Sequence, residues 1–335
     1  MYGDPQLIHV DKVLTQISVS YHNRNYVGDM LFPSVPVEKQ SDKYLVEDKN
    51  YAMTVIEDLR TPNADTPEVP PMTLSRDSYF AEEHALKDWV PVEEMANQDP
   101  GFDVMGRAVN RIADWIQFNR EDKIQTLART TGNYATGNTV TLSGTSQWSD
   151  YTNSNPIKDL KTARDQVWFQ VFQLPTVAIL SYPVATILED HPAFLNRVKT
   201  GFANDNALDY VGALSGIPKL IRAGAPKNTA ALGLTASFGY MWGKDVVLAY
   251  VPATPGRDIP AYGYEFTWTG PEAQQFGSDS IGPTLGVQPA DRWFDADRKA
   301  WAVRSTRRYA IKFVAVDAVA TGKSTGGYLI QNAIA

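Results

Sequence analysis

The sequence predicts an α+β fold, with helices and strands mixed along the chain rather than alternating in regular βαβ order. Apolar residues recur at three- and four-residue steps between residues 102 and 127, which is the pattern of a long amphipathic helix. Short strand-like runs, rich in β-branched and aromatic residues, recur from residue 176 onward. With 335 residues, 43% of them hydrophobic, the chain has enough apolar material for one or two ordinary cores.

The composition excludes several classes of protein. Cysteine is absent, which removes disulfides, thiolate metal sites and cysteine nucleophiles. The formal net charge is −7, from 31 basic and 38 acidic residues, so no long-range positive field favours a DNA-coating protein. Because the first residues lack a signal-peptide pattern and no run is apolar enough to cross a bilayer, we expect an intracellular protein without a membrane span.

The first 36 residues are predicted to form an extended arm. They end in the run Leu31-Phe32-Pro33-Ser34-Val35-Pro36, in which two prolines forbid a helix and favour extended backbone.

The next segment predicts a β-hairpin with strands at 43–47 and 51–57, because Asp48-Lys49-Asn50 between them tolerates a tight reversal. Four prolines between residues 60 and 73 argue against an inner strand there, so the hairpin is left without a local partner. A lone two-stranded ribbon is marginal in water. We therefore expect its apolar side chains to be covered either by another chain or by the ribbon's own domain.

A long helix is predicted to follow Asp99-Pro100-Gly101. From residue 102 to about residue 129 it would extend roughly 40 Å at 1.5 Å per residue. Such a helix could serve as a spine, although a packed helix of any α+β domain explains the periodicity equally well.

A boundary between two lobes is predicted at residues 130–155, a stretch rich in Thr, Ser, Gly and Asn that we expect to run over the surface with one short hairpin around 139–142. Asn155-Pro156 then predicts a helix start, with an N-cap followed by proline at the first position. Strands are predicted at 176–180, 218–223, 245–251, 264–268 and 301–316.

The candidate chemical motifs fail on inspection. Gly322-Lys323-Ser324 resembles the end of a phosphate-binding loop, but the required earlier glycine is replaced by Asp317, whose carboxylate would repel a phosphate. Neither Glu82-Glu83-His84 nor the acidic cluster at 291–297 has the spacing of a metal site. We therefore predict no catalytic residues, no metal and no cofactor. The basic residues Arg304, Arg307, Arg308 and Lys312 favour a salt-bridge network between subunits over a phosphate site.

The order of these segments resembles the major capsid proteins of tailed bacteriophages, whose fold is shared with the floor of herpesvirus capsids. The resemblance rests on the arm, the proline-tipped loop and the run Asp77-Ser-Tyr-Phe-Ala-Glu-Glu-His-Ala-Leu-Lys-Asp-Trp-Val-Pro-Val-Glu-Glu94 that leads into the long helix. It implies an N-terminal arm at 1–36, an extended loop at 37–76, a peripheral domain at 77–155 with a spine helix at 101–129, a mixed α/β axial domain at 156–295, and C-terminal strands at 296–335 that join the two domains.

The resemblance also implies a function. Many copies would assemble as pentamers and hexamers into an icosahedral shell that encloses double-stranded DNA, with the DNA held only by non-specific proximity. A separate scaffolding protein, a portal and a decoration protein are the implied partners, the host cytoplasm is the implied place of assembly, and the virion capsid is the final location.

The resemblance and the apolar ribbon together predict which residues contact neighbouring subunits. The predicted contact residues are Leu31, Phe32, Tyr44, Val46, Tyr51, Met53, Val55 and Ile56. Two alternatives stay open. One is the shell of a bacterial protein nanocompartment, which would differ in its cargo. The other is a carbohydrate-active enzyme that uses Trp148, Trp242, Trp268 and Trp293, which would require paired carboxylates across an aromatic cleft.

Overall fold

The computed structural model describes residues 25–47, 55–63, 65–69, 74–98, 103–196, 207–231, 233–256, 259–268, 291–316 and 322–335. The α-helices in this part of the chain are α1 Gly28–Leu31, α2 Val92–Ala96, α3 Val104–Arg129, α4 Pro156–Val171, α5 Tyr182–Glu189, α6 Pro192–Leu195 and α7 Ala207–Ser215. The strands are β1 Ser34–Val37, β2 Ser41–Glu47, β3 Leu74–Phe80, β4 Glu82–Pro91, β5 Thr139–Thr141, β6 Val177–Ser181, β7 Lys219–Ala223, β8 Pro226–Asn228, β9 Phe238–Tyr240, β10 Val246–Ala249, β11 Gly263–Trp268, β12 Asp291–Asp295, β13 Ala300–Phe313 and β14 Gly327–Gln331.

The first sheet is built around the long strand β13. Strand β4 pairs antiparallel along one side of β13, β12 and β11 pair along its other side, and β1 adds in parallel to β11. The helix α3 packs across β4 and β13 and buries Ile112 and Ile116 against Val303.

The predicted spine helix is confirmed over Val104–Arg129. Its N-cap is Asp103, whose side chain accepts a hydrogen bond from the backbone N–H of Gly106 and so satisfies one of the free donors of the first turn. The beginning of the predicted helix, Asp99-Pro100-Gly101 and residue 102, lies outside the described residues.

The second sheet has the strand order β5-β14-β10-β6-β7. The helices α4, α5 and α7 pack against it, and the core between them includes Leu160, Leu180, Leu248 and Ile330. Helix α4 begins as predicted, with the Asn155 side chain accepting from the backbone N–H of Lys158 and proline in the first turn.

Residues 130–155 differ from the predicted surface linker with a local hairpin. Strand β5 pairs in parallel with the distant strand β14, and Trp148 is 0% exposed within the core of the second sheet. Trp148 donates from Nε1 to Asp159 (2.9 Å), and its backbone N–H donates to Ala333. The stretch is mostly polar, so its composition predicted a surface segment. Its few apolar residues nevertheless pack into the core of the second sheet.

The predicted domain boundary at residue 295 divides one sheet. Strands β11 and β12 were assigned to the axial segment, but both pair with β13 in the first sheet. The C-terminal segment contributes to both sheets, since β13 lies in the first and β14 in the second.

The extended loop has a different hairpin from the one predicted. Strand β2 pairs antiparallel with β3 over seven residue pairs, from Ser41 opposite Phe80 to Glu47 opposite Leu74. The described partner strand begins immediately after the proline-rich stretch that we treated as a barrier. Residues 51–54 of the predicted partner strand lie outside the described residues, and residues 55–57 lie in no strand. The predicted turn at Asp48-Lys49-Asn50 lies outside the described residues.

The side chain of His191 caps the N-terminus of the short helix α6. The Nδ1 atom of His191 accepts from the backbone N–H of Ala193 (3.1 Å), and Nε2 lies 3.0 Å from the Ser154 hydroxyl. Burial lowers the pKa of His191 from its ordinary value. The unfolded chain therefore takes up a proton at higher pH than the folded chain, and stability falls as the pH drops through the ordinary histidine pKa.

We expect the free energy of unfolding of the dissociated subunit to fall between about pH 7 and about pH 5, and His191→Asn to lose less over the same interval, because asparagine caps a helix without titrating. Chemical denaturation of both proteins at several pH values measures this. Equal losses in the two proteins would show that His191 is not the responsible group.

Candidate assembly interface

The base of the extended loop is the β2–β3 hairpin, which we call the loop base. It packs against the first sheet of the same chain. The Tyr44 hydroxyl donates to the Asp77 carboxylate (2.7 Å), and its ring lies 5.8 Å from that of Phe266. The Tyr79 ring stacks on Phe266 at 4.6 Å, and its hydroxyl donates to the carbonyl of Lys39 (3.2 Å). Burial, with the neighbouring carboxylate of Asp77, raises the pKa of Tyr44, which keeps its hydroxyl a donor. This loop base is therefore part of the subunit core.

The end of the arm is also part of the core. Leu31 and Phe32 are fully buried in a cluster that includes Ile124 of α3 and Tyr262. The Glu121 carboxylate of α3 accepts from the backbone N–H groups of Val27 (3.1 Å) and Gly28 (2.9 Å). Burial raises the pKa of Glu121, and these hydrogen bonds, together with one from Trp242, act in the opposite direction.

A buried charge network connects the arm, the spine helix and the first sheet. The Glu265 carboxylate of β11 accepts from Nε of Arg120 (2.5 Å) and from Nη2 of Arg307 (2.5 Å), and all three side chains are at most 2% exposed. Arg120 also pairs with Asp29 of α1. Arg308 pairs with Glu83 of the same chain (2.7 Å). Arg307 and Arg308 thus pair within the chain, which corrects the expectation of a network between subunits.

The far part of the loop is exposed. We call residues 55–69 the loop tip; residue 64 is not among the described residues. Val55 is 96% exposed, Leu59 75% and Val69 76%. The loop tip also carries four acidic residues and one basic residue. A single segment that presents several large apolar side chains to solvent is typical of a surface that another molecule covers.

The structure divides the eight predicted contact residues into three groups. Leu31, Phe32 and Tyr44 are covered by their own chain, which corrects their assignment to the contact surface, because a side chain already in the core has no area to offer a neighbour. Val55 and Ile56 are exposed, whereas Tyr51 and Met53 lie outside the described residues. Val46 lies in β2, and its side chain is outside the described part. Leu59 and Val69 were missed, because the prolines around them led us to treat that stretch only as a strand breaker.

A second exposed surface lies at the end of the first sheet. We call residues 87–94 and 291–304 the sheet tip. Trp89 and Trp293 flank Ala302 on neighbouring strands, with their rings 6.4 Å apart edge to face. Arg298 lies over Trp89 at 4.5 Å, and Arg304 lies over Trp293 at 5.4 Å. The sheet tip therefore presents ordered aromatic and arginine side chains.

The described residues were compared with the requirements of a metal site and of a membrane span. No group of three or more His, Asp or Glu side chains among them could hold a metal ion, and none of the helices described is long and apolar enough to cross a membrane. A cavity of about 420 Å³ between α3 and the first sheet is lined by Phe80, His84, Lys123 and Tyr309, among others. Burial and the nearby Lys123 lower the pKa of His84.

The tryptophans proposed for a carbohydrate cleft do not line one site. Trp148 and Trp242 are both fully buried, and they lie in two different core clusters. Trp293 is at the sheet tip, and the Trp268 ring packs under Arg308.

Sequence comparison connects the chain with phage proteins. No model of a known protein family matches the sequence. The major capsid protein of Pseudomonas phage JBD67 is 29% identical over 289 residues, which cover 84% of this chain and 89% of that protein. The major capsid protein of Burkholderia phage BcepMu is 25% identical over 260 residues, covering 76% and 82%.

Structural comparison gives the same connection. A crystal structure of a phage-related protein from Bordetella bronchiseptica RB50 matches with a TM-score of 0.67 and 25% identity, covering 97% of each chain. The capsid structure of cyanophage P-SCSP1u matches with a TM-score of 0.60 and 10% identity, covering 94% of this chain and 90% of that one. The resemblance and the fold class inferred from the sequence are confirmed: the chain is a relative of phage major capsid proteins and has the fold of the tailed-phage capsid.

Proposed function

We propose that the chain is the major capsid protein of a tailed phage, and that its copies assemble into the icosahedral shell that encloses the double-stranded DNA genome. The capsid-protein relatives, which match over most of the chain, support this role. The role is structural, and we propose no enzymatic activity. The final location is the virion, and assembly takes place in the host cytoplasm with a scaffolding protein, a portal and a decoration protein as partners.

The observation that carries the proposal is the contrast within the extended loop. The loop base is held to its own subunit by partly buried hydrogen bonds and by ring contacts. The loop tip, in contrast, presents exposed apolar side chains. Burying one such Val or Leu side chain contributes about 1.5–3 kcal/mol before ordering costs, so one contact is modest and many copies together are stable.

The charge of the chain agrees with this role. A shell that holds packed DNA by enclosure needs no basic lining, and a net charge of −7 is compatible with such a shell. DNA would therefore be held by non-specific proximity.

The proposal is tested by the particles that the chain forms. Co-expression with the scaffolding gene of the same phage should give closed particles in negative-stain electron microscopy and a megadalton species by light scattering. Particles from infected cells should protect double-stranded DNA from nuclease. A stable monomer under all these conditions would contradict the proposal, and particles that contain a protein cargo in place of DNA would favour a nanocompartment shell.

A further inference from the structure

We propose that residues 1–24, which precede the described arm, dock on the exposed aromatic face of the β8–β9 hairpin of their own subunit. We call this surface the hairpin face; it consists of the side chains of Tyr182, Phe238 and Tyr240. The contact lies within a single subunit, so it goes beyond the proposed function and does not depend on shell assembly. The beginning of the arm would then pack on its own chain, as the end of the arm does.

The β8–β9 hairpin has one face turned to its own chain and one face turned to solvent. Lys227 of β8 lies on the first face and pairs with Asp122 of the spine helix α3. Phe238 and Tyr240 share the other face, because side chains alternate along a strand. Phe238 is 74% exposed and Tyr240 is 47% exposed. Since an isolated two-stranded hairpin is marginal in water, an uncovered aromatic face of this kind predicts a partner that covers it.

Tyr182, at the start of α5, extends the hairpin face. Its ring stacks on that of Tyr240, with the ring centroids 5.6 Å apart and the ring planes 6° from parallel. The guanidinium of Arg222 lies 5.0 Å from the Tyr182 ring and pairs with Glu189. Side chains held in this way lose little conformational entropy when a partner binds, so more of the contact energy appears as affinity.

The described part of the arm begins beside the hairpin face. Asn25 is its first residue. A methyl group built on Gly224 would lie 3.4 Å from the side-chain nitrogen of Asn25 and 3.5 Å from the Tyr182 ring, so Asn25 and Tyr182 border the same small space. Residues 1–24 therefore join the described chain next to the hairpin face, and a short connection carries a low entropic cost of loop closure.

The sequence of residues 1–24 supplies an apolar surface of its own. Its apolar side chains recur at three- and four-residue steps, at Leu7, Val10, Leu14, Ile17 and Tyr21. This spacing predicts one apolar face of a helix, unlike the end of the arm, where two prolines favour extended backbone. A short helix is marginal in water unless its apolar face packs on another surface. The hairpin face is an uncharged aromatic surface at the point where this segment joins the described chain.

Hydrogen exchange of the full-length dissociated subunit, followed by mass spectrometry, tests the docking. We expect the backbone amides of residues 7–21 to exchange at least about tenfold more slowly than in the double variant Phe238→Ser, Tyr240→Ser, because the loss of two large apolar contacts shifts an equilibrium by more than this factor. The matched control Trp168→Ser, Phe169→Ser removes two exposed aromatic side chains from α4 and should leave this exchange unchanged. Because the contact lies within one chain, the protection should be equal at low and high subunit concentration.

A reciprocal variant decides the result if the serine changes in β9 unfold the hairpin. Leu14→Ser with Ile17→Ser leaves every described residue in place and should speed hydrogen exchange in β8 and β9. Fast exchange of residues 7–21 in the unmodified subunit would overturn the inference, and so would protection that persists without the hairpin face. Protection that appears only at high concentration or only in assembled particles would also overturn it, because a neighbouring subunit would then supply the contact.

Discussion

Replacing Val55, Leu59 and Val69 together by serine will leave a folded subunit that forms no closed shells. The three side chains are among the most exposed apolar groups of the described residues, so their loss removes little from the subunit core. In the shell, each would be buried against a neighbour, and the triple change would cost about 5–9 kcal/mol per loop if all three were fully buried. Repeated at every subunit, that loss prevents closure. Electron microscopy and light scattering measure assembly, and far-UV circular dichroism measures the fold of the subunit.

The matched control keeps the loop tip apolar. Val55→Ile, Leu59→Met and Val69→Ile together should assemble, because the loop tip keeps at least the same apolar area while side-chain shape changes. Normal shells from the serine variant would contradict the assignment of the loop tip to an interface. Replacing Tyr44 by a charged residue would not test the interface. Tyr44 is buried in the loop base, so its replacement would destabilise the subunit itself.

Replacing Glu265 by glutamine will destabilise the subunit by about 3–5 kcal/mol, the usual cost of breaking a buried ion pair by removing one partner. The change leaves Arg120 and Arg307 buried without the carboxylate that both contact, although Asp29 still pairs with Arg120. Because glutamine has nearly the same shape as glutamate, the loss reports charge rather than packing. Urea denaturation of the dissociated subunit measures it.

The control for this change is a surface ion pair. Asp165 pairs with Arg164 on α4 and is largely exposed, so Asp165→Asn should cost no more than about 1 kcal/mol. Equal losses in the two variants would show that the buried network contributes nothing beyond an ordinary surface pair. If Glu265→Gln lowers the free energy of unfolding but the arm stays attached, the buried charge network stabilises the sheet and does not hold the arm.

The elements that the sequence predicts well are those whose signals are local. The spine helix follows from one amphipathic repeat, and the start of α4 follows from an asparagine cap and a proline in adjacent positions. Within such elements, the residues that determine the structure lie within a few positions of one another. Short runs rich in apolar, β-branched or aromatic residues gave the approximate positions of β6, β7, β10 and β13 for the same reason.

The features that were missed depend on residues far apart in the sequence. The described partner of β2 begins at Leu74, beyond the proline-rich stretch, so no local signal connected the two strands. Glu121 accepts a hydrogen bond from the backbone of Val27, 94 residues earlier, and Arg120 pairs with Glu265, 145 residues later. A local sequence pattern cannot predict contacts over such distances. For that reason Leu31 and Phe32, apolar and next to prolines, were assigned to a neighbour when their own chain covers them.

The most direct test is a cryo-electron microscopy map of the particle that the chain forms, at a resolution that shows side chains. We predict that Tyr44 and Tyr79 remain packed on Phe266 of their own subunit, while Val55, Leu59 and Val69 are buried against a neighbouring subunit. A closed shell in which the loop tip is exposed to solvent or folded onto its own subunit would contradict it.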